Sequence, residues 1–242
     1  MDIAGNSLVI GGGGGIGRAC AILFAKAGAR VVVIADLNLQ AASETQGPQI
    51  DVTRESSVRE VFSDVSEILG RIDYCVNCAG FQRFLDVNAT GMFLITKQAS
   101  IVMLSQEAQA VSRNGLGRGE TRGCIMNLGS VSSLVFTASV LPHTESKHAV
   151  LGLSKTSALD NTVYGIRVNC VCPSWTNTPL VQKAIEGVKG LGDFINRAVP
   201  MGWIAVPDEV ADAVIFLCRP RSSYVTGCGL IIDGGTTLTA LR

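Results

Sequence analysis

His143-Thr144-Glu145-Ser146-Lys147 stands thirteen residues after Ser130. An imidazole, a hydroxyl and an ammonium at that spacing are what acid–base chemistry at an oxygen requires. The ring takes or relays a proton, while the hydroxyl and the cation stabilise developing negative charge. The neighbouring ammonium of Lys147 disfavours imidazolium, so His143 is expected as a neutral ring, better suited as base than as acid near neutral pH. Glu145 precedes Lys147 by two positions, about 200° around a helix axis, and is expected to point away from such a site. His148 reads as a surface or interface residue.

A second group of residues suits a phosphate-bearing ligand. Gly11, Gly15, Ile16 and Gly17 follow a short apolar run with glycine spacing G-x-x-x-G-x-G and open a helical pattern. Absent side chains let the backbone approach a pyrophosphate there, and a helix N-terminus favours its charge. Asp36 ends the next apolar run. A carboxylate at that point accepts both ribose hydroxyls of NAD and repels a 2′-phosphate. Leu37 follows it, so no adjacent cation favours NADP.

These groups need elements to hold them. Leu8-Val9-Ile10, Val31-Val32-Val33-Ile34, Tyr74-Cys75-Val76, the run from Cys124 to Leu128, the run from Arg167 to Val171 and Leu230-Ile231-Ile232 read as strands. The second, rich in β-branched residues, carries the mark of a strand buried on both faces. Helices are predicted from Ile16 to Ala27, with Gly28 as C-cap, and near residues 55–69, 84–112, 143–163 and 207–218. Strands alternating with helices imply an α/β fold, a three-layer doubly wound parallel sheet forming a single domain over residues 1–242. The Gly- and Arg-rich stretch from Ser112 to Gly123 reads as an exposed loop.

Composition narrows the function classes. At 242 residues, 47% hydrophobic and 17% charged, the chain can bury one sizeable core. Lys+Arg and Asp+Glu are both 20, which removes any bulk attraction to nucleic acid or an anionic membrane as partner. No signal-peptide pattern opens the chain and no apolar run approaches the ~18 residues of a membrane span, so a cytoplasmic location is expected. The eight cysteines lie mostly in apolar patterns and read as buried reduced thiols. Cys75-Val76-Asn77-Cys78 has C-x-x-C spacing but no second Cys/His pair beside it, and no metal is expected.

Taken in order, the motifs resemble those of the short-chain dehydrogenase/reductase family along nearly the whole chain. Besides the glycine loop they are Asp51-Val52, Asn77-Cys78-Ala79-Gly80, Asn88-Ala89-Thr90-Gly91, Asn127-Leu128-Gly129-Ser130, Ser146-Lys147-His148-Ala149, Arg167-Val168-Asn169 with Pro173 and Thr178, Pro207-Asp208-Glu209-Val210-Ala211 and Ile232-Asp233-Gly234-Gly235. The resemblance implies a Rossmann fold that uses NAD. It implies Asn88, Ser130 and Lys147 as catalytic residues, with Lys147 also at the nicotinamide ribose. By the same resemblance Asp51 and Val52 meet the adenine, Asn77, Ala79 and Gly80 border the cofactor, and Pro173 and Thr178 clasp the nicotinamide carboxamide. A homodimer or homotetramer is implied through the helices near 84–112 and 143–163, with the C-terminal segment at a second interface.

The departures carry the functional question. In that family the serine is followed by Tyr-x-x-x-Lys, and His143 stands at the tyrosine position. An imidazole nitrogen reaches roughly 2 Å less far from the backbone than a phenol oxygen, so a bridging water is expected to restore the reach. Ile10 stands where the family has Thr, and Ser174 where it has Gly. Only seven residues, Phe81 to Val87, separate Gly80 from Asn88, and the interval from Asp36 to Asp51 is also short. The first shortening is expected to remove one wall of the substrate entrance. Three readings stay open: an NAD(H)-dependent oxidoreductase with altered proton chemistry, ranked first; a non-redox cyclase, isomerase or lyase using His143 as acid/base; and a catalytically silent dinucleotide-binding homologue. Phe81, Phe84, Val135, Phe136 and Trp175 are expected around a hydrophobic small-molecule substrate.

Overall fold

The computed structural model describes residues 3–38, 40, 47–79, 85–111, 119–136 and 140–239. Its sheet is built from β1 (Asn6–Ile10), β2 (Val31–Ala35), β3 (Tyr74–Asn77), β4 (Gly123–Leu128), β5 (Ile166–Pro173) and β6 (Gly229–Ile232). All six run parallel, in spatial order β2-β1-β3-β4-β5-β6. The order reverses between β1 and β3, which opens a crevice at the carboxyl ends of those two strands.

The strands alternate between two apolar layers because successive side chains leave opposite faces. Leu8, Ile10, Cys75 and Ile125 pack with α2 (Glu55–Leu69), α3 (Met92–Leu104) and α4 (Leu141–Thr162). Val9, Val76, Cys124 and Met126 pack with α1 (Gly15–Ala27) and a C-terminal helix over Pro207–Cys218. Gly28 closes α1 in the left-handed region at φ 101°, its N–H bonded to Ala25 and Phe24 carbonyls, in agreement with its expected role as C-cap. The fold is therefore the three-layer, doubly wound α/β architecture.

Several sequence expectations need correction. β2 is not buried on both faces: Val31 is exposed and Val32 to Ile34 are half-buried. β2 is the edge strand of the sheet, and beyond it Asp36 and Gln49 form a single parallel bridge among the described residues. The helix expected to reach residue 112 ends at Leu104. Gln106 pulls the chain away, its side chain accepting from the Ile72 N–H at 2.7 Å and donating to the Arg122 carbonyl at 2.8 Å. Beyond it, Gln109–Ala110 and Glu120–Thr121 form a two-stranded hairpin, so the stretch read as loop up to Gly123 holds strand at its end; residues 112–118 lie outside the described part. Two helices were missed, α5 (Pro179–Gly187) and α6 (Leu191–Ala198), which precede α7 (Pro207–Cys218). Finally, Asp86–Leu104 is long and apolar enough by composition to cross a membrane, against the expectation of no such stretch. Its Leu94, Ile95, Ala99 and Met103 nonetheless pack into the core against the sheet.

Candidate active site

The crevice at the switch point collects the glycine loop. Gly11 follows β1 at φ +73°, and a Cβ there would lie 2.8 Å from the backbone nitrogen of Ala79. A Cβ on Gly17 would lie 2.1 Å from the Gly11 carbonyl oxygen, so the start of α1 turns tightly over the loop only because both positions are glycine. Gly14, the N-cap, supplies no side chain, the first turn of α1 has no acidic residue, and nothing lies within 4 Å of where a Gly14 Cβ would stand. A first turn with no side-chain cap and no acidic residue suits a pyrophosphate. Ile16 is half-buried in the same turn. Across the loop, Thr178 caps α5 by accepting from the Val181 N–H at 3.4 Å, and its Cγ2 lies 3.4 Å from a Cβ placed on Gly15.

Asp36 sits beside the same loop. Its Oδ2 accepts from the Gly13 N–H and its Oδ1 from the Asn38 N–H, both at 2.9 Å. Asn77 is fully buried and anchors the turn after β3, its Oδ1 accepting from the Ala79 N–H at 3.2 Å. Asp51 organises the approach to α2, its Oδ1 accepting from the N–H and hydroxyl of Thr53 at 3.0 and 2.7 Å. Val52 packs its side chain toward Gly91. Pro173 is the buried last residue of β5. Gly80, Phe81 and Phe84 lie outside the described residues.

The second cluster comes from three elements. β4 ends at Leu128 and delivers Ser130, whose Oγ accepts from the Ser132 N–H at 3.1 Å while its own N–H donates to Ser133 Oγ at 3.2 Å. His143 lies in the first turn of α4, and its Nε2 stands 3.4 Å from Ser130 Oγ. The shorter reach of imidazole thus still meets the serine directly. One turn on, Lys147 is buried and donates to the Leu128 carbonyl at 2.8 Å. Asn88 lies in a π-helical turn, Asp86–Gly91, and its Nδ2 donates to Ser146 Oγ at 3.1 Å. Ser146 in turn donates to the His143 carbonyl at 2.9 Å. π turns are rare and frequently mark functional positions. The Asn88 Oδ1 is buried with no hydrogen-bond partner among the described residues, an acceptor suited to an ordered water.

Burial and the Lys147 ammonium push the His143 pKa down to about 4, so the ring is neutral at physiological pH. Burial likewise lowers Lys147 to about 8. The result is a neutral base in contact with a hydroxyl, beside a buried cation that is ready to give up its proton.

The flanking residues divide. Glu145 is exposed, as expected. His148 stacks on Phe136, with ring centroids 5.3 Å apart and an interplanar angle of 6°; Val135 beside it is half-buried. Trp175 lines a cavity of ≈ 110 Å³ with Val199, Met201 and Trp203, but none of Ser130, His143 and Lys147 borders it. Six of the eight cysteines are buried, all eight are free, and no group of His, Cys, Asp and Glu suited to a metal occurs among the described residues. Sequence reasoning passed over Ser146 and the pair Cys170 and Cys172; a hydroxyl three residues after His143 and a C-x-C on one strand were the available signals.

Comparison with known proteins places this geometry in context. A family model described as enoyl-(acyl carrier protein) reductase matches residues 11–237. The short-chain dehydrogenase fogB of Aspergillus ruber is 56% identical over 272 residues, covering 100% of both chains. That alignment is longer than this 242-residue chain, so the relative holds segments absent here, in keeping with the two short intervals. The short-chain dehydrogenase virB of Hypocrea virens is 45% identical, over 99% of both chains. Among solved structures, the ligand-free aldohexose dehydrogenase of Thermoplasma acidophilum superposes with a TM-score of 0.84 at 30% identity, over 99% of this chain and 96% of that one.

Proposed function

Because the chain belongs to the short-chain dehydrogenase/reductase family, we propose that it is an NAD(H)-dependent oxidoreductase of a hydrophobic small molecule, with His143 in place of the family's tyrosine. The observation that carries the reading is Asp36 seated against the glycine loop through the Gly13 N–H. A carboxylate there receives ribose hydroxyls and opposes a 2′-phosphate. When bound, the nicotinamide supplies or accepts hydride. Gly11, Gly15, Ile16, Gly17, Asp36, Asp51, Val52, Asn77, Ala79, Gly80, Pro173 and Thr178 would hold the dinucleotide, with Lys147 at its ribose. Ser130 holds the substrate oxygen, and the neutral His143 takes the alcohol proton in the oxidative direction, directly or through one water. Asn88 fixes the first turn of α4 through Ser146.

Equilibrium binding of NADH and NADPH to wild type and Asp36→Ala tests this. NADH is expected to bind more tightly than NADPH, and the variant to bind NADH roughly 10–100-fold more weakly, the loss associated with hydrogen bonds to a charged acceptor. Binding of neither nucleotide would exclude the redox reading. It would favour a cyclase, isomerase or lyase in which His143 is the acid/base, since the His143–Ser130 pair beside Lys147 needs no hydride to move a proton.

A homodimer or homotetramer is part of the proposal. On α4, Val150 and Leu151 are buried against the sheet, whereas Leu159 is 78% exposed. With Phe93, Ile101 and Leu104 of α3 it leaves apolar surface for a second copy. Light scattering is expected to show a dimer or tetramer; a monomer at micromolar concentration overturns this.

A further inference from the structure

We propose that Cys170 and Cys172 form an oxidation site beneath Ser130, a dithiol that small hydroperoxides convert reversibly to a disulfide. The two residues are separated by Val171 on β5, so their side chains leave the same face of the strand. Both are fully buried, with Met92, Val150 and Leu151 around them, and their sulfurs are 3.9 Å apart. Alternate residues of a strand have Cα atoms ~6.6 Å apart, just inside the ~6.8 Å limit for a disulfide. The bond can close, under strain.

The surroundings distinguish the two sulfurs. The contact with the Cys170 thiol is the main influence lowering the Cys172 pKa, and the Ser130 backbone, Ser133 and the Lys147 ammonium act in the same direction against the opposing effect of burial. The same contact and burial raise Cys170. Cys172 is thus assigned as the attacking sulfur and Cys170 as the resolving thiol. The Cys172 sulfur attacks one peroxide oxygen and the O–O bond breaks. Sulfur is oxidised to sulfenic acid, and the departing oxygen leaves as water or alcohol after taking a proton. The Cys170 sulfur then attacks the Cys172 sulfur. The S–S bond forms, the S–O bond breaks, and hydroxide leaves with the Cys170 proton as water. Two thiols and one hydroperoxide give one disulfide, one water, and one further water or alcohol.

Gly129 connects this chemistry to the site. A Cβ on Gly129 would lie 2.7 Å from the Cys170 sulfur and 3.0 Å from the Cys172 sulfur, so the backbone entering Ser130 rests on both. Drawing the sulfurs together to ~2.05 Å removes that support and bends the end of β5. A strained disulfide of this kind is readily reduced by thiols.

Peroxide titration of the full chain, followed by unfolding, N-ethylmaleimide labelling and peptide mass mapping, tests the proposal. Cys78 and Cys228 are half-buried and serve as internal controls, because exposure alone favours their oxidation. Cys170 and Cys172 are expected to lose labelling together, with one peptide short of two hydrogens, and to regain it with dithiothreitol. In Cys170→Ala, dimedone is expected to trap sulfenic acid at Cys172. Oxidation confined to Cys78, Cys228 or the buried Cys124 and Cys218, with this pair still labelled, overturns it. The wild-type map decides even if the variant does not fold. Loss of turnover on oxidation rests on the oxidoreductase reading; the mapping does not, so either can fail alone.

Discussion

His143→Ala is expected to lower NAD(H)-dependent turnover of apolar secondary alcohols and ketones by about 10²–10⁴-fold, the range for removing a positioned acid–base group. NADH affinity should stay within about twofold, because the proposed mechanism puts His143 at the substrate oxygen, apart from the dinucleotide. The pH profile identifies the group. Burial and Lys147 hold the ring near pKa 4, so kcat/KM should fall as pH drops through about 4, where the base becomes charged. An ordinary histidine would put that limb near ~6.5. On the alkaline side, loss of the Lys147 proton near pH 8 gives a second limb. His143→Ala should abolish the first limb and keep the second. His143→Tyr supplies the longer phenol and should restore turnover toward that of phenol-bearing relatives. An alanine variant as active as wild type would leave His143 with no proton role.

Much of this site was legible because its determinants are local. The glycine spacing, the apolar runs and the Gly28 cap lie in short stretches of sequence, and their structures follow from sterics and capping. What was misread depends on distant partners. The exposure of β2 follows from its place at the edge of the sheet, and the end of α3 from Gln106 reaching Ile72 and Arg122. The helix α5 carries an apolar stripe, Leu180, Val181, Ala184 and Ile185, but it is nine residues long and buries no side chain fully, so it lacks the length that reveals a core helix. The Asn88–Ser146 bond joins residues 58 positions apart. Its consequence, a fixed first turn carrying His143 to Ser130, is a property of the packed π turn and of no short motif. The C-x-C of β5 was visible as text, but only the register of β4 against β5 brings Gly129 down onto both sulfurs.

Lys147→Met should make the protein more stable while removing its activity. Lys147 is buried, and desolvation carries its pKa from 10.5 down to about 8. In the folded state the proton is therefore held less tightly than in the unfolded state. Between about pH 8 and 10.5 the unfolded chain binds more protons, so wild-type stability rises with pH through that window, and below it the full penalty of the buried ammonium is present. That penalty is on the order of 3 kcal/mol at neutral pH, since each tenfold loss of proton affinity costs about 1.4 kcal/mol. Methionine keeps most of the stem and removes the charge, but it leaves the Leu128 carbonyl without its donor, which costs about 1–2 kcal/mol. The net gain is about 1–2 kcal/mol, or roughly 2–8 °C in Tm for a chain of this size. Scanning calorimetry at pH 7 should show it, and the gap between variant and wild type should close as pH approaches about 10. A variant less stable than wild type at pH 7 would mean that contacts in the site, those with Leu128 and the nearby thiols, outweigh the desolvation. A buried cation retained at a stability cost is what a catalytic position looks like, since only function opposes its replacement.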